Sequence, residues 1–181
     1  STEGPGLTTS RPLAVIVLAA GQGTRMKSPL PKVLHPVAGR TMLGHVLATA
    51  RALGPARLVV VTRPDADEIA AAAPAETAVQ HEQRGTGHAV LAAAGALQGF
   101  TGDALILYAD TPLITAATLR RVLDARAEGA SVVVLGFTPD DPGPYGRLVL
   151  DDDGALVRNV EAKDATPEEA AIRLCNSGVM A

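Results

Sequence analysis

The chain has 181 residues, enough for about one domain built round a single core without a disulfide or metal staple. Charged residues make up 19% and hydrophobic ones 47%, which excludes a disordered or fibrous chain, and a lone cysteine, Cys175, excludes an internal disulfide and a cysteine-based metal site. The net charge of −3 hides an asymmetry: eight bases and no acid stand between Gly4 and Pro64, whereas 18 acids and eight bases follow from Asp65 onward. A basic first third suits a polyanionic partner. Two Tyr, two Phe and no Trp offer little for nucleobases to stack on, so a small phosphorylated ligand fits better than a long nucleic acid, which stays as a third option. No apolar run approaches the 18 residues of a membrane span, and the single cysteine makes the cytoplasm the default compartment.

Residues 1–12 read as a disordered extension and residues 13–181 as the domain. Leu13 to Leu18 is a continuous apolar, β-branched run, as expected of a strand covered on both faces. With Ala19 and Ala20 it imitates a minimal signal peptide, but it leads straight into a Gly-rich loop that makes better sense inside a fold. Ala19 to Pro31 has too much Gly and Pro for anything but loop. Met42, Leu43, Val46, Leu47 and Ala50 recur at helical spacing until Gly54-Pro55 stops them. Leu58 to Val61 is a second buried strand, Asp65 to Ala73 a helix, Thr77 to Gln80 a short strand, and His88 to Leu97 a helix opened by Gly85-Thr86-Gly87. Ala104 to Tyr108 is a third buried strand, Thr115 caps a helix running to about Glu128, and Ser131 to Phe137 is a fourth strand. Apolar strands alternating with helices predict an α/β fold, Rossmann-like and three-layered, with a mostly parallel sheet. The pattern then changes to a hairpin, with Gly146 to Leu150 and Ala155 to Val160 flanking an Asp-Gly turn. Thr166-Pro167-Glu168-Glu169 has the form of a capping box, and Arg173 to Ala181 reads as a last strand.

In open parallel sheets ligands sit outside the carboxyl ends of the strands, which points at the loops after Leu18, Gln80 and Tyr108. The first is the most telling. Gly21-Gln22-Gly23-Thr24-Arg25 can turn tightly and aim backbone N–H groups at an anion, while Arg25, Lys27 and Lys32 place three cations within eight positions. Such a loop suits a triphosphate. A dinucleotide fingerprint and a P-loop starting at Gly21 would both need glycine at position 26, which is Met26. A flexible turn with solvated Arg and Lys is the plainer alternative.

Leu18-Ala19-Ala20-Gly21-Gln22-Gly23-Thr24-Arg25-Met26, followed by Pro29-Leu30-Pro31-Lys32-Val33-Leu34, is similar to the signature of the sugar-phosphate nucleotidyltransferase superfamily. Further segments follow in order: the stretch from Gln80 through Gly85-Thr86-Gly87-His88 to Ala89, Tyr108-Ala109-Asp110-Thr111-Pro112-Leu113, Tyr145-Gly146-Arg147, Val160 to Thr166, and Asn176-Ser177-Gly178. Together, from about Leu13 to Ala181, they resemble the uridylyltransferase domain of the bacterial bifunctional N-acetylglucosamine-1-phosphate uridylyltransferase family. The glycine loop marks only the superfamily; the pieces around Gln80 and Glu161 are more specific.

The resemblance implies transfer of a uridylyl group from UTP to N-acetylglucosamine 1-phosphate, giving UDP-N-acetylglucosamine for peptidoglycan precursors, with Mg²⁺ as cofactor and no covalent intermediate. It implies that Arg25 and Lys32 neutralise phosphates and that Asp110 binds the metal. It assigns nucleotide binding to Leu18, Ala19, Ala20, Gly21, Gly23, Lys32, Gln80, Gly85, Thr86, Tyr108 and Asp110, and sugar-phosphate binding to Gly146, Glu161 and Asn176. Plainer roles stay open for each: an Asx turn at Asp110, a polar strand end at Gln80, an N-cap at Thr86, a turn glycine at Gly146, a solvated carboxylate at Glu161 and a loop amide at Asn176. His35, His45 and His88 read as packing or capping residues. Ala109 stands where the family has glycine, which is expected to set a methyl beside the nucleotide, and Gln22 where lysine is common. Family members continue beyond this length through a further metal-binding asparagine and a hexapeptide-repeat β-helix, so the acetyltransferase activity and the main homotrimer contacts are expected in a C-terminal region absent here. A non-catalytic nucleotide-binding module, or a sibling enzyme with another NTP or sugar phosphate, remains an alternative.

Overall fold

The computed structural model describes residues 11–21, 28 and 30–181. Strand β1 (Leu13–Leu18) lies at the centre, where an apolar run is covered on both sides. A 3₁₀ turn at Lys32–Leu34 and a small antiparallel ribbon, β2 (Pro36–Val37) with β3 (Arg40–Thr41), lead into helix α1 (Met42–Arg51). Thr41 Oγ1 accepts the Gly44 amide at 3.0 Å, a side-chain cap worth about 1 kcal/mol. Leu43, Val46, Leu47 and Ala50 of α1 are buried at the expected spacing.

Strands β4 (Arg57–Thr62) and β6 (Asp103–Tyr108) flank β1 in parallel register, and β5 (Glu76–Val79) adds outside β4. Period-two alternation then sorts the side chains. Val15, Val17, Val60, Leu105 and Leu107 join α1, Ile69 of α2 (Asp67–Ala72), and Leu119 and Val122 of α4 (Ala116–Ala127) in one core. Ile16, Leu18, Val59 and Val61 face the opposite way, onto Ala89 of α3 (Thr86–Ala92) and onto Ala93. The three layers expected from the strand–helix alternation are therefore present.

The sheet has eight strands in the order β5-β4-β1-β6-β10-β8-β9, with β7 (Val134–Phe137) on β10 (Cys175–Met180). The fourth strand starts three residues later than the sequence suggests and does not pair with β6. Strand β10 comes between, antiparallel to β6 through Met180↔Ile106 and to β7 through Cys175↔Phe137 and Asn176↔Gly136. Two antiparallel steps restore direction, so β7 runs parallel to the body. A late strand slotted between two earlier ones is invisible to a reading taken in chain order. The hairpin of β8 (Arg147–Leu150) and β9 (Leu156–Val160) attaches to β10 at Cys175↔Arg147.

Helix α3 corrects the sequence reading of His88 to Leu97. It starts at Thr86 because Gly85, at φ 93°, turns the chain into it, and it ends at Ala92 because the Ala93 and Ala94 amides drop to the Val90 and Leu91 carbonyls three residues back. Arg11 and Pro12, assigned by sequence to the extension, sit on β6: Arg11 pairs with Asp103 at 3.5 Å, and the Pro12 carbonyl accepts the Asp103 amide at 2.9 Å. The capping box opens α5 (Pro167–Ala170), with Glu169 N donating to Thr166 Oγ1 and Thr166 N to Glu169 Oε2. The Thr166 backbone N–H, and secondarily Arg158, hold the Glu169 carboxyl below the usual carboxylate range. Among the described residues no helix is long and apolar enough to cross a membrane.

Candidate functional site

The parallel ladder brings the expected loops to one edge. Leu18 lies beside Val61 and Tyr108, and the ladder continues one bond further on each side, from Ala19 N to Val61 O at 2.8 Å and from Ala109 N to Leu18 O at 3.0 Å. Gln80 N donates to Thr62 O at 2.8 Å, so the third loop starts at the same level. Outside these strand ends opens a cleft of about 550 Å³. Its wall contains Leu18 to Gly21, Lys32, Gln80, Gly85, Thr86, Tyr108 and Asp110. These are the residues the resemblance assigns to the nucleotide, apart from Gly23. Gly23 and Arg25, with Gln22 and Lys27, lie outside the described residues.

Lys32 Nζ sits 2.7 Å from Asp110 Oδ2. Buried Val33 and Leu34 anchor the 3₁₀ turn that carries the lysine, while Asp110 comes two residues after the end of β6. The side chains keep 40% and 36% exposure, so water screens the pair and it adds no more than about 1 kcal/mol to stability. The carboxylate meets an ammonium here and not a turn amide, in place of the plainer Asx role.

The Gln80–Gly87 loop closes the opposite wall. Gln80 is 4% exposed, and its Nε2 donates to the Gly85 carbonyl at 3.3 Å and to His88 Nδ1 at 3.2 Å. Thr86 leaves the N-cap position to Gly85 and shares a 2.9 Å hydrogen bond with the Tyr108 hydroxyl, joining α3 to β6 across the cleft. Gln83, not singled out from sequence, lines the cleft and donates from Nε2 to the Ala20 carbonyl at 2.8 Å, fastening this loop to the first. Its place three residues after Gln80, within a segment that carries the resemblance, was the available signal. His35 and His45, expected to pack or cap, hydrogen-bond through Nε2 to the Leu30 and Val37 carbonyls at 3.2 and 2.7 Å.

Ala109 overturns the expectation of a methyl beside the nucleotide. It has no exposure and packs in the core with α1 and α4, because Tyr108 and Asp110 on either side take the cleft-facing positions.

Gly146, Glu161 and Asn176 do not line this cleft. They are connected to one another: Asn176 N donates to the Gly146 carbonyl at 2.8 Å, and Asn159 lies against Gly146 while donating from Nδ2 to Glu161 Oε1 at 3.2 Å. Asn176 Oδ1 accepts the Gly178 amide at 2.7 Å, and the residue lies within β10, not in the loop that the plainer reading supposed. Gly178, at φ 84°, packs under the Tyr108 ring so closely that a Cβ there would collide with it. Tyr108 therefore joins the cleft wall to β10, the strand that carries Asn176. Arg147 is 5% exposed and without a carboxylate partner among the described residues; its guanidinium donates to the carbonyls of Pro142, Gly143, Tyr145 and Ala170.

No group of three His, Cys, Asp or Glu side chains that could hold a metal occurs among the described residues. Asp110 still fits a hard cation such as Mg²⁺, which takes one or two carboxylates and completes its shell with water and phosphate oxygens. The carboxylate is part-exposed at the mouth of a cleft roomy enough for both.

Residues 15–162 match the family described as MobA-like NTP transferase domain, a span holding every cleft residue. The chain belongs to this family. Among curated relatives, the bifunctional protein GlmU of Dinoroseobacter shibae is 61% identical over 173 residues, covering 93% of this chain and 38% of the relative. GlmU of Paramagnetospirillum magneticum is 57% identical, covering 95% of this chain and 39% of the relative. The chain thus spans about two fifths of the length of these relatives. Among solved structures, Rv0371c from Mycobacterium tuberculosis H37Rv superposes with a TM-score of 0.58 at 26% identity, covering 68% of this chain and 64% of that one. The NTP transferase family accounts for the parallel body, and the match ends before β10.

Proposed function

We propose that this NTP transferase domain condenses UTP with N-acetylglucosamine 1-phosphate, releasing pyrophosphate and forming UDP-N-acetylglucosamine for peptidoglycan precursors. The observation that carries the proposal is the 2.7 Å approach of Lys32 to Asp110 at the mouth of the cleft. A cation for phosphates and a carboxylate for a divalent metal stand side by side, where the strand ends deliver three loops.

A phosphate oxygen of the sugar 1-phosphate attacks the α-phosphorus of UTP in line, and the bond to pyrophosphate breaks. Charge neutralisation and alignment are the main catalytic tasks. With a triphosphate in the cleft, the Lys32 ammonium turns from Asp110 to phosphate oxygens. One such contact at about 4 Å and an effective dielectric near 20 amounts to roughly 4 kcal/mol before desolvation. Arg25 supplies a second cation by resemblance. Asp110, freed from the lysine, would hold Mg²⁺, which supplies further neutralisation of the phosphates. The backbone from Leu18 to Gly21, with Gln80, Gly85 and Thr86, holds the nucleoside, and Gly146, Glu161 and Asn176 take the amino sugar phosphate. A cytoplasmic setting belongs to this reading, and the single cysteine of the chain supports it.

The test is pyrophosphate release from UTP, N-acetylglucosamine 1-phosphate and Mg²⁺. Turnover supports the proposal. UTP binding without turnover assigns a nucleotide-binding module. Turnover only with another NTP or sugar phosphate assigns a sibling enzyme, and sequence-independent nucleic-acid binding at physiological salt that outcompetes UTP would displace all three.

A further inference from the structure

Gln80 and His88 form a pair whose chemistry goes beyond holding a nucleotide. Gln80 lines the cleft at the end of β5, and its amide could present either end to a ligand. The Gly85 carbonyl, 3.3 Å away, can only accept, so the nitrogen end faces it. The second N–H of that nitrogen meets His88 Nδ1 at 3.2 Å, so this ring nitrogen accepts as well and the imidazole carries its proton on Nε2. Both N–H groups are then used within the protein. Only Oε1 remains, and no donor meets it among the described residues.

We propose that His88 is a specificity-determining positioning residue: it locks the Gln80 amide so that the cleft wall presents a hydrogen-bond acceptor to the base. This rests on the nucleotidyl-transfer reading above. An acceptor fixed there suits a base edge carrying an imide N–H, as uracil does at N3, and opposes the bare N3 acceptor of cytosine. Two partners make the lock firmer than one. Rotating the amide would point its oxygen at the Gly85 carbonyl and at a lone pair of His88, two repulsions that the burial of Gln80 strengthens. Without His88 one of them is gone, and the amide can adapt to either base.

Wild type, His88→Leu and His88→Asn are titrated with UTP and CTP by calorimetry, and the tautomer of His88 is read in the wild type from ¹H–¹⁵N long-range NMR. Wild type is expected to prefer UTP at least about tenfold. His88→Leu, similar in bulk but without an acceptor, brings the ratio toward unity; His88→Asn, whose amide oxygen replaces Nδ1, keeps it. The spectrum is expected to show Nδ1 bare and Nε2 protonated. A His88→Leu chain with unchanged preference overturns the role of His88 and leaves the uridylyl reading standing. A protonated Nδ1 does the same without any variant having to fold. A wild type that binds neither nucleotide removes the uridylyl reading, and this inference with it.

Discussion

The two halves of the sheet are built on different terms. Strands β1 and β4 are buried along most of their length and share continuous parallel ladders with β6 and β5. Strand β9 is almost wholly exposed, and β10 reaches the body through one paired position, Met180↔Ile106. The nucleotide cleft stands on the first half. The residues assigned to the sugar phosphate stand on the second, where polar fastenings supplement the burial of Leu148, Cys175 and Val179: Arg147 on four carbonyls, the capping box of α5, and the Arg158–Glu169 pair. One half is ordered mainly by what it excludes from water, the other also by what it bonds.

If that division is right, damage on each side should show in a different measurement. The largest effect belongs to the cleft: Asp110→Asn or Lys32→Ala should lower turnover by about 10²–10³-fold in the pyrophosphate assay. Since the pair is exposed, the melting temperature should move by no more than about 4 °C, and a larger drop would give the pair a structural role. Next comes Arg147→Met, which strands several carbonyls and should cost about 3 kcal/mol, lowering the melting temperature by about 6–12 °C. Calorimetry should show weaker sugar-phosphate binding with UTP binding preserved; equal loss of both would erase the division. Gly178→Ala tests the contact between the halves. Strain at its positive φ and the displaced Tyr108 ring should cost about 1–3 kcal/mol and weaken both ligands together.

The smallest effect is one of pH. Glu169 is held below its ordinary range in the folded chain, so its contribution is complete above the unfolded value of about 4.3 and is lost as pH falls through the lower folded value. Glu169→Gln should therefore reduce stability at neutral pH, and the gap to wild type should close in acid denaturation below about pH 4.

Much of the body was legible because local signals agreed. The Leu13–Leu18 run, the α1 stripe ending at Gly54-Pro55 and the Thr166 capping box each depend on neighbours in sequence, and each formed as expected. What escaped depends on distant partners. The place of β7 is set by β10, about 40 residues later. The end of α3 followed a switch of hydrogen-bond partner within an alanine-rich run that sequence could not time. In the site, residue types in a known order located the cleft wall, yet the side on which the Ala109 methyl would lie needed the pleat of β6, and the link from Gln83 to Ala20 spans loops whose approach only the sheet determines.

Ala109 carries a consequence of its own. Its methyl is sealed inside the hydrophobic interior while the next residue offers a carboxylate to the cleft. The aim of Asp110 is thus inherited from core packing, as the bearing of a compass needle is inherited from its pivot. Repacking near α1 or α4 would be felt as a change in catalytic alignment, which makes thermal hardening and chemical proficiency of this domain properties to be selected together.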